Sequence, residues 1–112
     1  MTTVAERYNA AEKLKDQGKS EEAIAALEAL VADEPNHVLS HLTLGRLYTL
    51  SAQFEKAIAH GVKACQLEPN EPFNFTALSL TYQRTFAGTQ DHQFITLAED
   101  ARDEARRLES LR

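Results

Sequence analysis

The chain has 112 residues, 43% apolar and 26% charged, a composition that fits one folded domain and excludes a disordered chain. Its formal charge is −5 and its twelve basic residues are scattered, never more than two in a row, which disfavours nucleic acid as a partner. No apolar run is long enough for a membrane span, the start MTTVAERYNA lacks a signal-like pattern, and the single Cys65 excludes an internal disulfide, so a reducing, cytoplasmic setting is expected.

The first predicted helix places Tyr8, Ala11 and Leu14 at helical spacing. Thr3 followed by Glu6 predicts a capping box at its start. Gly18 predicts its end, and Ser20 the beginning of a second helix. That helix carries EEAIAALEALVADEPN, residues 21–36. Pro35 has no N–H to continue a helix, so it closes the unit, and Asn36 is expected to cap the next helix.

The third helix carries Leu44, Gly45, Leu47 and Tyr48, and the fourth carries EKAIAHGVKACQLEPN, residues 55–70. Laid over each other, with Glu21 on Glu55, the two quoted segments are identical at seven of their sixteen positions, including Ala23 with Ala57 and Glu34-Pro35-Asn36 with Glu68-Pro69-Asn70. The same shift pairs Ala10-Ala11 with Leu44-Gly45 and then Leu78-Ser79, and Leu14 with Tyr48 and then Tyr82. The unit therefore occurs twice in full, and its first half a third time. Asn70 is expected to cap the fifth helix, as Asn36 caps the third.

After Phe86 the register breaks, because Asp91 falls where a small residue is needed and no Pro closes the unit. A further shift of six or seven residues brings Ala98 and Ala105 into the small positions. AGTQDHQ then reads as a lengthened loop with Thr89 as a cap, and the last helix runs from about Asp91 nearly to the end. Its expected apolar stripe is Phe94, Leu97, Ala101, Ala105 and Leu108, opposite Glu99, Arg102, Asp103 and Arg106. This helix is either a polar-faced terminal cap or a coiled-coil contact in a homodimer.

These features resemble the tetratricopeptide repeat, a helix-turn-helix unit of about 34 residues. Leu44-Gly45, Tyr48, Phe54, Ala57, Ala64 and Pro69 match its pattern in order. The first repeat matches through Ala23 and Pro35, with Ala10-Ala11 and Leu14 replacing the Leu–Gly pair and the aromatic. The resemblance implies an all-α, right-handed α-solenoid of three repeats, at about 4–37, 38–71 and 72–112, in one domain with the last helix extended as a cap. Gly45 is disfavoured in a helix by about 1 kcal/mol against Ala, so a close backbone neighbour is expected there.

Catalytic and metal chemistry find no support in the residues. His37 and His41 are four apart, but no third ligand lies at a convincing spacing, and His41 occupies a position expected to be packed. His60 and His92 read as surface residues and Cys65 as a small packed side chain. FAGTQ lacks the glycine spacing and lysine of a phosphate loop, and Glu21-Glu22 and Asp33-Glu34 read as solvated charges at helix ends. The expectation is a non-enzymatic chain with no cofactor and no metal.

The resemblance further implies a concave groove lined by the first helix of each repeat, taking a peptide or helix of another protein. Carried onto this chain, the groove presents Ala5, Tyr8, Asn9 and Glu12, then Leu39, Leu42, Thr43, Arg46 and Leu50, then Phe73, Thr76, Ala77, Leu80 and Arg84. One branch of the family grips the C-terminal carboxylate of a chaperone tail. The matching positions here are Tyr8, Glu12, Thr43, Phe73 and Ala77, and none carries that branch's residue. The expected partner is therefore an apolar or amphipathic protein segment, or a second copy if the chain is a self-assembling scaffold, and not a chaperone tail, a nucleic acid or a membrane.

Overall fold

The computed structural model describes residues 2–112 as six helices: α1 Val4–Asp16, α2 Ser20–Asp33, α3 Val38–Leu50, α4 Phe54–Leu67, α5 Pro72–Thr89 and α6 Gln93–Ser110. Gly18 ends α1 with φ of +78°, and Ala52, its counterpart in the second repeat, ends α3 with φ of 59°. In each turn the following amide reaches back into the helix: Lys19 N–H to Leu14 O and Gln53 N–H to Tyr48 O, both at 2.9 Å. This left-handed closure reverses the chain in a few residues, so α1 packs on α2 and α3 on α4. Ala52 adopts it with a Cβ, a strain of about 1–2 kcal/mol that Gly18 avoids.

The hairpins stack in series through contacts of α2 with α3, α4 with α5, and α3 with α5. Small residues set the spacing. A Cβ on Gly45 would sit 3.5 Å from the Ala57 carbonyl, so the two helices touch at backbone level while leaving room for a methyl. One core cluster joins the first two hairpins through Ala11, Ala23, Leu27, Leu44, Leu47, Tyr48 and Ala57. A second gathers Cys65, Leu78, Tyr82, Ala98 and Ala101. The chain is thus a helical-hairpin solenoid of all-α class.

Several local expectations are corrected. Thr3 Oγ1 accepts the Glu6 N–H at 3.1 Å, but the Glu6 carboxylate takes the Thr3 hydroxyl instead of a backbone N–H, so only half of the capping box forms. Asn36 and Asn70 are not caps. The chain turns through them, and His37 and Glu71 hold the cap positions without a side-chain cap bond. Ser20 is the first residue of α2, preceded by Lys19 at the cap.

The third hairpin departs most. AGTQDHQ is not a long loop. Ala87, Gly88 and Thr89 continue α5, which spans 18 residues against 13 for α3. Its left-handed end falls at Gln90, φ 62°, four residues beyond the position equivalent to Ala52. Four residues are about one helical turn, so the insertion lengthens the helix without rotating its end. A Cβ on Gly88 would lie 2.5 Å from the Phe54 ring, so a residue without a side chain lets this added turn pass α4. Thr89 does not cap α6; its hydroxyl donates to Thr85 O at 2.8 Å, while Asp91 Oδ1 accepts the Gln93 N–H at 3.2 Å. Ala98 and Ala105 are buried, in the small positions expected, but Leu97 faces outward and Ala98 takes its place in the stripe.

Candidate functional site

The first helix of each hairpin carries a buried stripe and an exposed one. On α3 the buried stripe includes Leu44, Leu47 and Tyr48, and on α5 Leu78, Tyr82 and Thr85. Helical spacing puts Leu39, Arg46 and Leu50 on the other side of α3, and Phe73, Leu80 and Arg84 on the other side of α5. All six are exposed, the four apolar ones heavily: Leu39 54%, Leu50 70%, Phe73 63% and Leu80 49%. Neither arginine takes part in an ion pair among the described residues.

The remaining predicted positions are partly enclosed. Ala77 is half-buried and Thr43 is buried. Tyr8, Glu12 and Thr43 are brought together but bond to one another. The Thr43 hydroxyl donates to Glu12 Oε1 at 3.3 Å, which makes Tyr8 OH the donor to Thr43 Oγ1 at 2.8 Å. Lys15 Nζ adds a 2.8 Å ion pair to Glu12. Burial alone would raise the Glu12 carboxyl, but the hydrogen bond and charge of Lys15, with the bonded hydroxyls of Tyr8 and Thr43 behind them, outweigh it and hold the group below the usual carboxylate range. Glu12 therefore arrives at this face already neutralised by Lys15. The first-repeat end is a closed polar network, and the open apolar surface belongs to α3 and α5.

The histidines are arranged differently from the expectation. His41 is buried as predicted, but His60 is no surface residue. His41 Nε2 faces the Pro35 carbonyl at 2.7 Å, which can only accept, so that nitrogen carries the hydrogen. In neutral His41, Nδ1 is then the acceptor for His60 Nδ1–H at 2.9 Å. His60 Nε2 lies 3.0 Å from Glu28 Oε1, a contact that becomes a donated bond when the ring takes up its second proton, and the ring stacks on Tyr48. This relay ties α2, the first joint, α3 and α4 together. The sequence hid it because His60 has no equivalent in the first repeat, where Ala26 stands. His37 does not face it, since its Nδ1 bonds to Ser40 Oγ at 2.7 Å.

A second residue that the sequence reading missed is Asn74. It is buried, and its amide donates to Ala64 O and Glu68 O, both at 3.3 Å, adding a side-chain bond to two carbonyls at the end of α4 that also accept the Glu68 and Glu71 N–H groups. Cys65 is buried beside Tyr82, and burial pushes its thiol up to about 11, away from nucleophilic use. A shallow recess of about 230 Å³ between α5 and α6, lined by Gln83, Phe86, Ile95, Ala98, Glu99 and Arg102, contains none of the nine groove positions Tyr8, Glu12, Leu39, Thr43, Arg46, Phe73, Ala77, Leu80 and Arg84.

A stack of helical hairpins joined at a regular period, with small residues at each close approach, defines a helical repeat protein. The sequence model of the tetratricopeptide repeat matches residues 14–60, from the end of α1 into α4. Over that segment the chain is similar to the tetratricopeptide-repeat family, which supports reading it as a protein of that kind. Repeats of this family generally mediate protein–protein interactions and are typically not enzymes. No curated protein matches the chain.

Proposed function

We propose that the chain is a non-enzymatic protein-binding module whose ligand lies along α3 and α5. The observation that carries this reading is the exposure of Leu39, Leu50, Phe73 and Leu80 on two helices that pack side by side. Four large apolar side chains left in water on adjacent helices are an unfavourable surface unless something covers them. Phe73 is the central anchor, since exposed aromatic residues that become buried in an interface dominate its energetics. The partner is an apolar or amphipathic protein segment. A chaperone C-terminal tail does not fit, because the positions that would clamp its carboxylate hold Tyr8, Glu12, Thr43, Phe73 and Ala77. The buried free thiol of Cys65 suits a reducing setting such as the cytoplasm.

The test is the double variant Leu39→Asp with Phe73→Asp. Both side chains are exposed, so helicity and thermal midpoint stay near wild type while binding of a groove-selected peptide is lost. Unfolding of the variant would place these residues in the core. Retained binding by a folded variant would move the site to another face.

A further inference from the structure

We infer that the groove selects an acidic amphipathic segment of another protein, with carboxylates interleaved among apolar side chains; this rests on the protein-binding reading above. The chain has seventeen acidic residues and a charge of −5, yet none of the seventeen lies on α3 or α5. The charged residues of those two helices outside the histidine relay are Arg46 and Arg84. Both are exposed and without an ion-pair partner among the described residues. The nearest acidic group from α1, Glu12, is neutralised by Lys15. Glu71, which caps α5 two residues before Phe73, is likewise paired, with Arg112, so the charges left unpaired on α3 and α5 are positive.

The placement of the two arginines narrows the ligand further. α3 and α5 run in the same sense, because each is the first helix of its hairpin, and the repeat shift that takes Gly45 to Ser79 matches their levels. Leu39 is then level with Phe73, Arg46 with Leu80, and Arg84 with Leu50. Each arginine has an apolar neighbour across the helix pair. Arg46 lies about 10 Å along the axis from the Leu39 level, and the Arg84 level about 6 Å beyond that, from the rise per residue. A ligand with apolar anchors alone would leave two guanidinium groups desolvated and unpaired, and a basic ligand would add repulsion. An acidic carboxylate beside each apolar anchor satisfies both.

The experiment is selection of a displayed random-peptide library on the full chain, with counter-selection on Leu39→Asp with Phe73→Asp. Enriched peptides are expected to combine Leu or Phe with Asp or Glu and to carry net negative charge. Synthesised as free peptides, they should bind more weakly at high salt, and lose about tenfold or more in affinity to Arg46→Glu with Arg84→Glu. Groove-dependent peptides that are neutral or basic would overturn the acidic preference and leave the groove standing. Peptides that bind the Leu39→Asp, Phe73→Asp variant equally well, or a library that yields no binder, would overturn the groove itself and this inference with it.

Discussion

The Ser79 hydroxyl donates to the Ala98 carbonyl at 2.8 Å, at the place where, one repeat earlier, Gly45 faces the Ala57 carbonyl. Ser79 follows Gly45 by one repeat period, but Ala98 lies seven positions beyond the period from Ala57. The helix crossing is therefore kept through the third hairpin despite the insertion. Five of the seven added residues lengthen α5 and two lie in α6 ahead of Ala98, while the connection between the paired helices is three residues long in both hairpins.

That equivalence makes Ala57 and Ala98 packing residues of the same kind. Ala57→Leu or Ala98→Leu forces a larger side chain into a close helix crossing and costs about 1–3 kcal/mol. Gly45→Ala behaves oppositely, because the added methyl meets only ordinary contacts and the helix gains propensity. It should be neutral or stabilising by up to about 1 kcal/mol. Thermal unfolding checks all three, and a midpoint unchanged by Ala57→Leu would contradict the crossing.

Much of this architecture was legible because it depends on chain stiffness and side-chain size. Pro35 and Pro69 stop helices whatever surrounds them, and Ala23 and Ala57 are small for a reason that recurs with the repeat. The failures came where competing choices were close in free energy. Asn36 is a good cap by propensity, but the turn after Pro35 carries it past that position and leaves His37 there. AGTQDHQ looks like a loop by composition, yet Gly88 clears Phe54 and lets the helix continue. Of the positions expected to line a groove, Leu39, Phe73, Leu80, Arg46 and Arg84 lie exposed, whereas Thr43 was missed as a core residue because a polar side chain gave no sign that Tyr8 and Glu12 would satisfy it.

Asn74 gives a second stability test. Asn74→Ala leaves two carbonyls at the end of α4 with only their backbone donors, at a cost of about 0.5–1.5 kcal/mol for each 3.3 Å bond lost. Denaturant unfolding should show a lower midpoint with an unchanged slope. An unaltered midpoint would mean that water replaces the amide without loss.

The histidine relay predicts a pH dependence. Burial holds His60 below the ordinary imidazole range; His41 acts in the same direction and Glu28 opposes. Tyr48 and Lys56 stand beside it, with the Lys56 ammonium over the Tyr48 ring. The unfolded chain therefore takes up this proton first as pH falls. Stability contributed by neutral His60 is complete above the ordinary value of 6.5 and is lost as pH drops through it toward the lower folded value. His60→Gln should flatten that part of the profile in denaturant titrations. Identical profiles for the variant and wild type would remove His60 as the cause.

Cys65 should be inert in the native chain. With its thiol pushed up to about 11 from an ordinary 9.0, its thiolate population is about a hundredfold lower than that of an exposed cysteine near pH 8. A disulfide reagent should label it slowly in buffer and at once in denaturant. Rapid native labelling would show that the cluster around Leu78 and Tyr82 opens readily.

The last helix decides whether the third hairpin closes the stack. Phe94, Ala98 and Ala101 pack on the cluster with Cys65, Leu78 and Tyr82, and Ala105 and Leu108 are also buried. The stripe that could have formed a coiled coil is thus used within the chain, and Glu99, Arg102, Asp103 and Arg106 face outward. Ending the chain after Thr89 would uncover Leu78 and Tyr82, each contributing about 1.5–3 kcal/mol when buried. Losing both is a large share of the roughly 5–15 kcal/mol that holds a domain together. The truncated chain is expected to lose helicity or to self-associate, read by circular dichroism and sedimentation. A truncated monomer with undiminished helicity per residue would show that α6 does not cap the stack.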